Sequence, residues 1–296
     1  MDDGGIDRWV SRAVDAGDGV TLAAQALGPA NAPALLLLAG GTWSRDWWLD
    51  DFCVQLAERG MRVLRFDTRD TGGSTIYPPG EPGYTGADLV DDAAAVLDAF
   101  QIDRAFIMGL SMGGGVAQGF AARYRERTAG LILVSTSPAD NVARDLPGPT
   151  PEIRATFENP IEDPDWTDRS AVIDWVVESE RPYAGPGNFD ESGLRELAGR
   201  VWDRTPSMAS GGNHFIAPEG DGPVVDLAAL AGIPTLVVHG SADPAFPVEH
   251  GRALAEAIPG ARFLLLRDVG HQVPPRHTWP DLVEAIASTV GVAKSS

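Results

Sequence analysis

The chain of 296 residues is long enough for one large α/β domain or a core with an insert, and 44% hydrophobic with 22% charged residues is ordinary for a globular protein. A formal net charge of −19 repels phosphate backbones and anionic lipid, which argues against nucleic acid or a membrane as partner. Cys53 is the single cysteine, so neither an internal disulfide nor a thiolate metal cluster is expected, and the acidic start "MDDGGIDRW" lacks the layout of a signal peptide; the expectation is a soluble, cytoplasmic protein.

Taken in chain order, "VSRAVDAGDGVTLAAQALG" predicts a hairpin or meander turning at Gly17–Gly19. Six apolar runs follow: "ALLLLAG" (34–40), "MRVLRFD" (61–67), "RAFIMGL" (104–110), "GLILVST" (130–136), "PTLVVHG" (234–240) and "ARFLLLRD" (261–268). Near-continuous runs suit strands covered on both faces, as in a parallel sheet. Helical spacing falls between them, at 45–60, 86–102, 112–127 and 248–260, and again in "TWPDLVEAIASTVG" near the end. Strand and helix alternating in this way indicate an α/β fold. From Pro138 to about Val225 the strand signals vanish, while "IRATFENP", "AVIDWVVESE" and "LRELAGRVWDR" read as helices. So long a stretch suits a helical insert over the sheet better than loop. Its few aliphatic residues argue against a separate domain. The division expected is a core of 1–137 and 226–296 with a helical cap of 138–225.

"GLSMG" (109–113) fits G-x-S-x-G where an apolar run gives way to a helix, the setting of a nucleophile elbow. The sharp turn needs small residues two before and two after the serine, and Gly109 and Gly113 meet that need. Ser111 would then stand at a helix N-terminus, where free N–H groups favour developing negative charge. A serine hydroxyl needs a histidine base oriented by a carboxylate. Of five histidines, His271 in "RDVGHQVP" follows the last apolar run, where a loop can return it over the sheet edge. His239 reads as structural, His250 as exposed, His277 as lying at a helix start, and His214 as able to line a pocket. Asp243 in "HGSADP" follows the preceding run and is the expected acid, with Asp268 the rival. For the oxyanion, the Met112 N–H and a donor from "LLAGGTW" are expected, Gly41 first and Thr42 as runner-up.

These segments, with "LLLLAGGTWSRDWW", "RFDTRDTGGST", "GLSMGG", "HGSADP" and "GHQVP" in order, resemble the α/β-hydrolase superfamily over nearly the whole chain. Within it the chain is similar to the actinobacterial group that includes aclacinomycin methylesterase. The resemblance implies an eight-stranded, mostly parallel sheet with helices on both faces and a helical cap between the sixth and seventh strands. It implies Ser111, Asp243 and His271 as triad, and Gly41 and Met112 as oxyanion hole. Many members carry histidine before the first loop glycine; here that residue is Ala39. The function expected is hydrolysis of a carboxylic ester through an acyl-enzyme, with a methyl ester of an aromatic polyketide as a candidate substrate. Lactone or amide hydrolysis, perhydrolysis and decarboxylation on the same triad remain alternatives, as does a ligand-binding protein with weak turnover.

The partner expected is a small hydrophobic ester. Thr42, Trp43, Trp175, Trp202, His214 and Phe215 are candidate substrate-binding residues, the aromatic ones as a wall for a flat molecule or as cap packing. No cofactor is expected, because no G-x-G-x-x-G follows the first apolar run and "GGG" (113–115) lacks the lysine of a phosphate loop. Asp88, Asp91, Asp92 and Asp98 recur at helical spacing and read as a solvated face rather than a metal site. "FDTRDTGGS" reads as a charged pair bracing a loop. Oligomeric state has no signal in the sequence.

Overall fold

The structure, a computed structural model, describes residues 8–139, 141–222 and 224–292. One sheet holds β1 (Val10–Asp15), β2 (Thr21–Leu27), β3 (Ala34–Leu38), β4 (Arg62–Phe66), β5 (Ala105–Leu110), β6 (Thr128–Val134), β7 (Thr235–Gly240) and β8 (Arg262–Leu266). Their order in space is β1-β2-β4-β3-β5-β6-β7-β8. β1 and β2 form the expected hairpin, and β2 is also antiparallel to β4. All other pairings are parallel.

The continuous apolar runs are explained by burial on both faces. Along β3, alternate residues point to opposite sides, and Leu35, Leu36, Leu37 and Leu38 are all buried. Leu35 and Leu37 join Met108, Ile132 and Val238 under α1 (Asp50–Glu58) and α8 (Trp279–Val290), against Phe52, Leu56, Trp279 and Leu282. Leu36 and Leu38 join Ile107, Leu133 and Val237 under α2 (Gly86–Ala99), α3 (Met112–Arg123) and α7 (Glu249–Ala257), against Val96, Phe120 and Leu254. Each such side chain contributes roughly 1.5–3 kcal/mol by burial.

Between β6 and β7 the regular elements among the described residues are all helical, chiefly α4 (Pro151–Glu158), α5 (Arg169–Glu180) and α6 (Glu191–Arg204). Val172, Ile173 and Val176 of α5 and Leu197 and Ala198 of α6 share one apolar cluster with Trp43 and Phe52. Polar pins add to this. Arg204 on α6 donates to both oxygens of buried Asp67 at 2.5 Å and also to Asp46.

Two expectations are corrected. The helix expected over 45–60 is interrupted: Arg45–Trp47 is a short 3-10 turn and α1 starts at Asp50. Trp48 is extended (ψ 90°), and its carbonyl is taken by the buried Arg65 guanidinium rather than by a following helical turn. Asp92 does not belong to a solvated face. It is buried, and Arg69 donates to its two oxygens at 2.7 and 2.8 Å. The charged turn at 67–74 is thus braced against α2.

The parallel register sets the site. Leu38 pairs with Gly109, Leu110 with Val134, Val134 with Val238, and Gly240 with Leu266. The carboxyl ends of β3, β5, β7 and β8 therefore lie along one rim, and the loops after them emerge together. Removing one member of the Arg69–Asp92 pair leaves a buried charge alone, so Asp92→Ala should lower unfolding free energy by about 3–5 kcal/mol. The double replacement Arg69→Met with Asp92→Leu should recover most of that in urea titrations.

Candidate active site

Ser111 lies between β5 and α3 with φ 53° and ψ −118°, a left-handed conformation that strains a non-glycine residue. Its surroundings hold it there. A Cβ on Gly109 would stand 2.0 Å from the Gly113 carbonyl oxygen. One on Gly113 would stand 2.5 Å from the Ala39 carbonyl oxygen and 2.6 Å from that of Leu38. The backbones of β3, β5 and α3 thus meet with no space for a side chain. The turn leaves Ser111 partly accessible at the N-terminus of α3.

The loops after β7 and β8 bring the expected partners to it. His271 Nε2 lies 2.9 Å from Ser111 Oγ. His271 Nδ1 lies 2.9 Å from Asp243 Oδ2 and 3.2 Å from Oδ1. Asp243 is buried, and its Oδ1 also accepts the N–H groups of Ala245 (3.0 Å) and Phe246 (2.8 Å). A carboxylate so held fixes the imidazole with hydrogen on Nδ1, leaving Nε2 to accept from the serine. The rival Asp268 is exposed on the sheet's outer edge, its N–H bound to Ser241 Oγ. The His271 amide donates to the Tyr183 carbonyl at 2.8 Å, so the segment after α5 steadies the base.

The loop after β3 passes beside α3. A Cβ on Gly41 would come within 3.8 Å of Met112 Sδ. The Met112 N–H opens α3 and has no intrahelical acceptor. Among the described residues the Gly41 N–H has no hydrogen-bond acceptor in the protein. The Thr42 N–H, the runner-up, is occupied: it donates to His214 Nδ1 at 2.9 Å. His214 Nε2 donates to the Arg69 carbonyl at 2.7 Å, which fixes the neutral tautomer. Desolvation holds the His214 imidazole below its ordinary pKa, consistent with that form. His214 thus holds the loop through both ring nitrogens.

The remaining expected residues divide. Phe215 is 73% exposed and lays its ring edge 3.1 Å from where a Gly41 Cβ would be. Trp43 is buried, stacks on Trp47 with centroids 4.1 Å apart, and donates its indole N–H to Glu180 Oε1 at 2.9 Å. Trp175 packs edge-on against Trp166 (5.1 Å), and Trp175 and Trp202 both lie on the apolar cluster shared by α5 and α6. Packing describes these two better than a wall at the serine. His239 is buried with Nε2 on the Phe246 carbonyl (2.7 Å), and His277 lies in a 3-10 turn before α8. His250, expected to be exposed, is buried between Ser137 Oγ (2.9 Å) and the Pro147 carbonyl (2.8 Å). The chain after β6 folds over the start of α7 and covers it.

Several residues here had no sequence signal. Gln272 accepts from the Gly185 N–H (2.7 Å) and donates to the Asn188 carbonyl (3.0 Å), gripping the segment after α5. Asn213 donates to Asp70 (2.9 Å) and accepts from the Gly80 N–H (2.7 Å). Glu180 accepts the Trp43 indole N–H at 2.9 Å. Only the place of Gln272 next to His271 hinted at a role.

The family model for the alpha/beta hydrolase fold matches residues 33–275. The chain belongs to the α/β-hydrolase fold family. It is a hydrolase, grouped by sequence with esterases. It is 35% identical over 278 residues to the rhodomycin D methylesterase DauP of Streptomyces sp. (strain C5), covering 87% of this chain and 91% of that one. It is 34% identical to the rhodomycin D methylesterase DnrP of Streptomyces peucetius, over the same shares. A thermophilic esterase from Thermogutta terrifontis superposes with a TM-score of 0.69 at 26% identity, covering 95% of this chain and 97% of that one. Among the described residues no helix is long and apolar enough to cross a membrane.

Gly113→Ala should cost about 3 kcal/mol in urea unfolding, because the atoms it meets are backbone. Gly115→Ala is the control: nothing lies within 4 Å of its Cβ position, and stability should change by no more than about 1 kcal/mol, upward. His214 gives a pH prediction. Its folded-state pKa is depressed, so the unfolded chain binds a proton that the folded chain refuses. Stability should fall as pH drops below about 6.5, and His214→Gln should flatten that fall in denaturation midpoints.

Proposed function

We propose that this chain hydrolyses a carboxylic ester through an acyl-enzyme formed on Ser111, with Asp243 and His271 completing the triad. The observation that carries this reading is the unbroken hydrogen-bonded run from Asp243 through His271 to Ser111. His271 removes the Ser111 proton as Oγ attacks the ester carbonyl. Asp243 stabilises the imidazolium that results. The N–H groups of Gly41 and Met112 receive the oxyanion, each worth about 3–4 kcal/mol in the transition state. The imidazolium then protonates the departing alcohol. Water, activated by the same imidazole, releases the acid and restores Ser111.

The substrate proposed is a methyl ester of an aromatic polyketide. Two Streptomyces relatives named for the methylesterase reaction on rhodomycin D support it, and the exposed Phe215 ring beside Gly41 offers an apolar face to a flat acyl group. Residues 138–225 act in this reading as a cap over a core of 1–137 and 226–296. The acidic chain and its single buried cysteine, whose thiol burial pushes up to about 12, fit a cytoplasmic enzyme acting on a small hydrophobic ester rather than on nucleic acid.

Ser111→Ala should lower p-nitrophenyl ester turnover by roughly 10⁴-fold or more with unchanged circular dichroism. Turnover within a few-fold of the parent would end the assignment. Phe215→Ala should raise KM for a polycyclic methyl ester by roughly ten-fold while leaving kcat for p-nitrophenyl acetate in place.

A further inference from the structure

α5 ends at Glu180, which is half-buried. Its Oε1 accepts the Trp43 indole N–H at 2.9 Å. Among the described residues no arginine pairs with it, and a protonated His271 would act on its charge. Trp43 packs in turn on the loop of the proposed oxyanion donors: a Cβ on Gly40 would stand 3.0 Å from the indole. Three residues beyond Glu180, the Tyr183 carbonyl holds the His271 amide at 2.8 Å, and the Tyr183 ring centroid lies 6.1 Å from that of the imidazole. One carboxylate is therefore tied to both halves of the site, the oxyanion loop and the base.

A half-buried carboxylate held by one N–H and by no arginine is stabilised by any positive charge that forms near it. Such a charge forms when His271 takes the Ser111 proton during attack. We propose that Glu180 is a positioning residue of the hydrolytic site: it clamps the Trp43 indole behind Gly40, and its negative charge stabilises the imidazolium of His271 during turnover. The proposal rests on the triad reading above.

The titratable groups that face Glu180 are His271 and the Tyr183 phenol; Trp43 brings only its N–H. Desolvation pushes the Glu180 carboxyl up to about 7, against the opposing pull of the Trp43 N–H and of positive charge at His271. Its charge therefore appears as pH rises through neutrality. A protonation on Glu180 therefore enters activity on the acidic side of neutrality.

The experiment compares the parent enzyme with Glu180→Gln and Glu180→Ala. Both p-nitrophenyl ester kinetics and fluorophosphonate labelling are followed from about pH 5 to pH 9. In Glu180→Gln the amide oxygen still accepts from Trp43 but the charge is gone. This variant should lose roughly ten-fold in kcat with KM little changed, and its acidic limb should lose the step that Glu180 contributes near neutrality. Glu180→Ala should show the same loss together with a raised KM, because Trp43 is released as well. If Glu180→Ala does not fold, Glu180→Gln decides alone. A Glu180→Gln profile and kcat equal to those of the parent would overturn the proposal and leave Glu180 as a structural acceptor for Trp43. Failure of the parent itself to label at Ser111 would instead overturn the triad reading, and the proposal with it.

Discussion

The close approach of three backbone segments at Gly113 is the constraint on which the rest depends. β3, β5 and α3 meet there with carbonyl oxygens where any Cβ would be. That approach forces the chain to turn within one residue, and Ser111 takes the left-handed conformation that the turn requires. The strain is borne because the sheet beneath is buried on both sides and cannot relax without opening its two apolar clusters. A hydroxyl lifted above the rim, at the start of a helix, follows from that geometry.

Everything else in the site comes to meet that hydroxyl along the same edge. Parallel pairing keeps the strand ends level, so Gly41, Asp243 and His271 need only short loops to converge on it. The helices between β6 and β7 then complete the arrangement through polar contacts that reach into those loops. Arg204 binds Asp67, Asn213 binds Asp70, His214 binds the Thr42 and Arg69 backbone, and Tyr183 binds His271. These pins make the helical segment part of the site's rigid frame. They also account for several buried polar groups outside the triad, Asp67, Asp70, Asn213 and His214 among them.

Much of this was legible in the sequence because its causes are local. Unbroken apolar runs signalled strands covered twice, and small residues two places either side of Ser111 signalled the turn. Loop position after successive strands was enough to single out Asp243 and His271. What the sequence could not show depends on long-range partners. Asp92 shares the spacing of its solvated neighbours, and only the fold reveals Arg69 opposite it. His250 lies in a polar helix start that the chain after β6 happens to cover. The Thr42 amide is taken by a histidine 172 residues away, and Glu180 looks like any last residue of a surface helix. In each case the residue type was visible and its partner was not.

The central claim is that Ser111 becomes covalently acylated in each turnover. Rapid-quench mixing with a p-nitrophenyl ester, followed by peptide mass spectrometry, tests it most directly. The account predicts a burst approaching one nitrophenolate per chain and a transient acyl mass on the peptide that contains Ser111. Ester hydrolysis with no acyl group on that peptide at any quench time would contradict it.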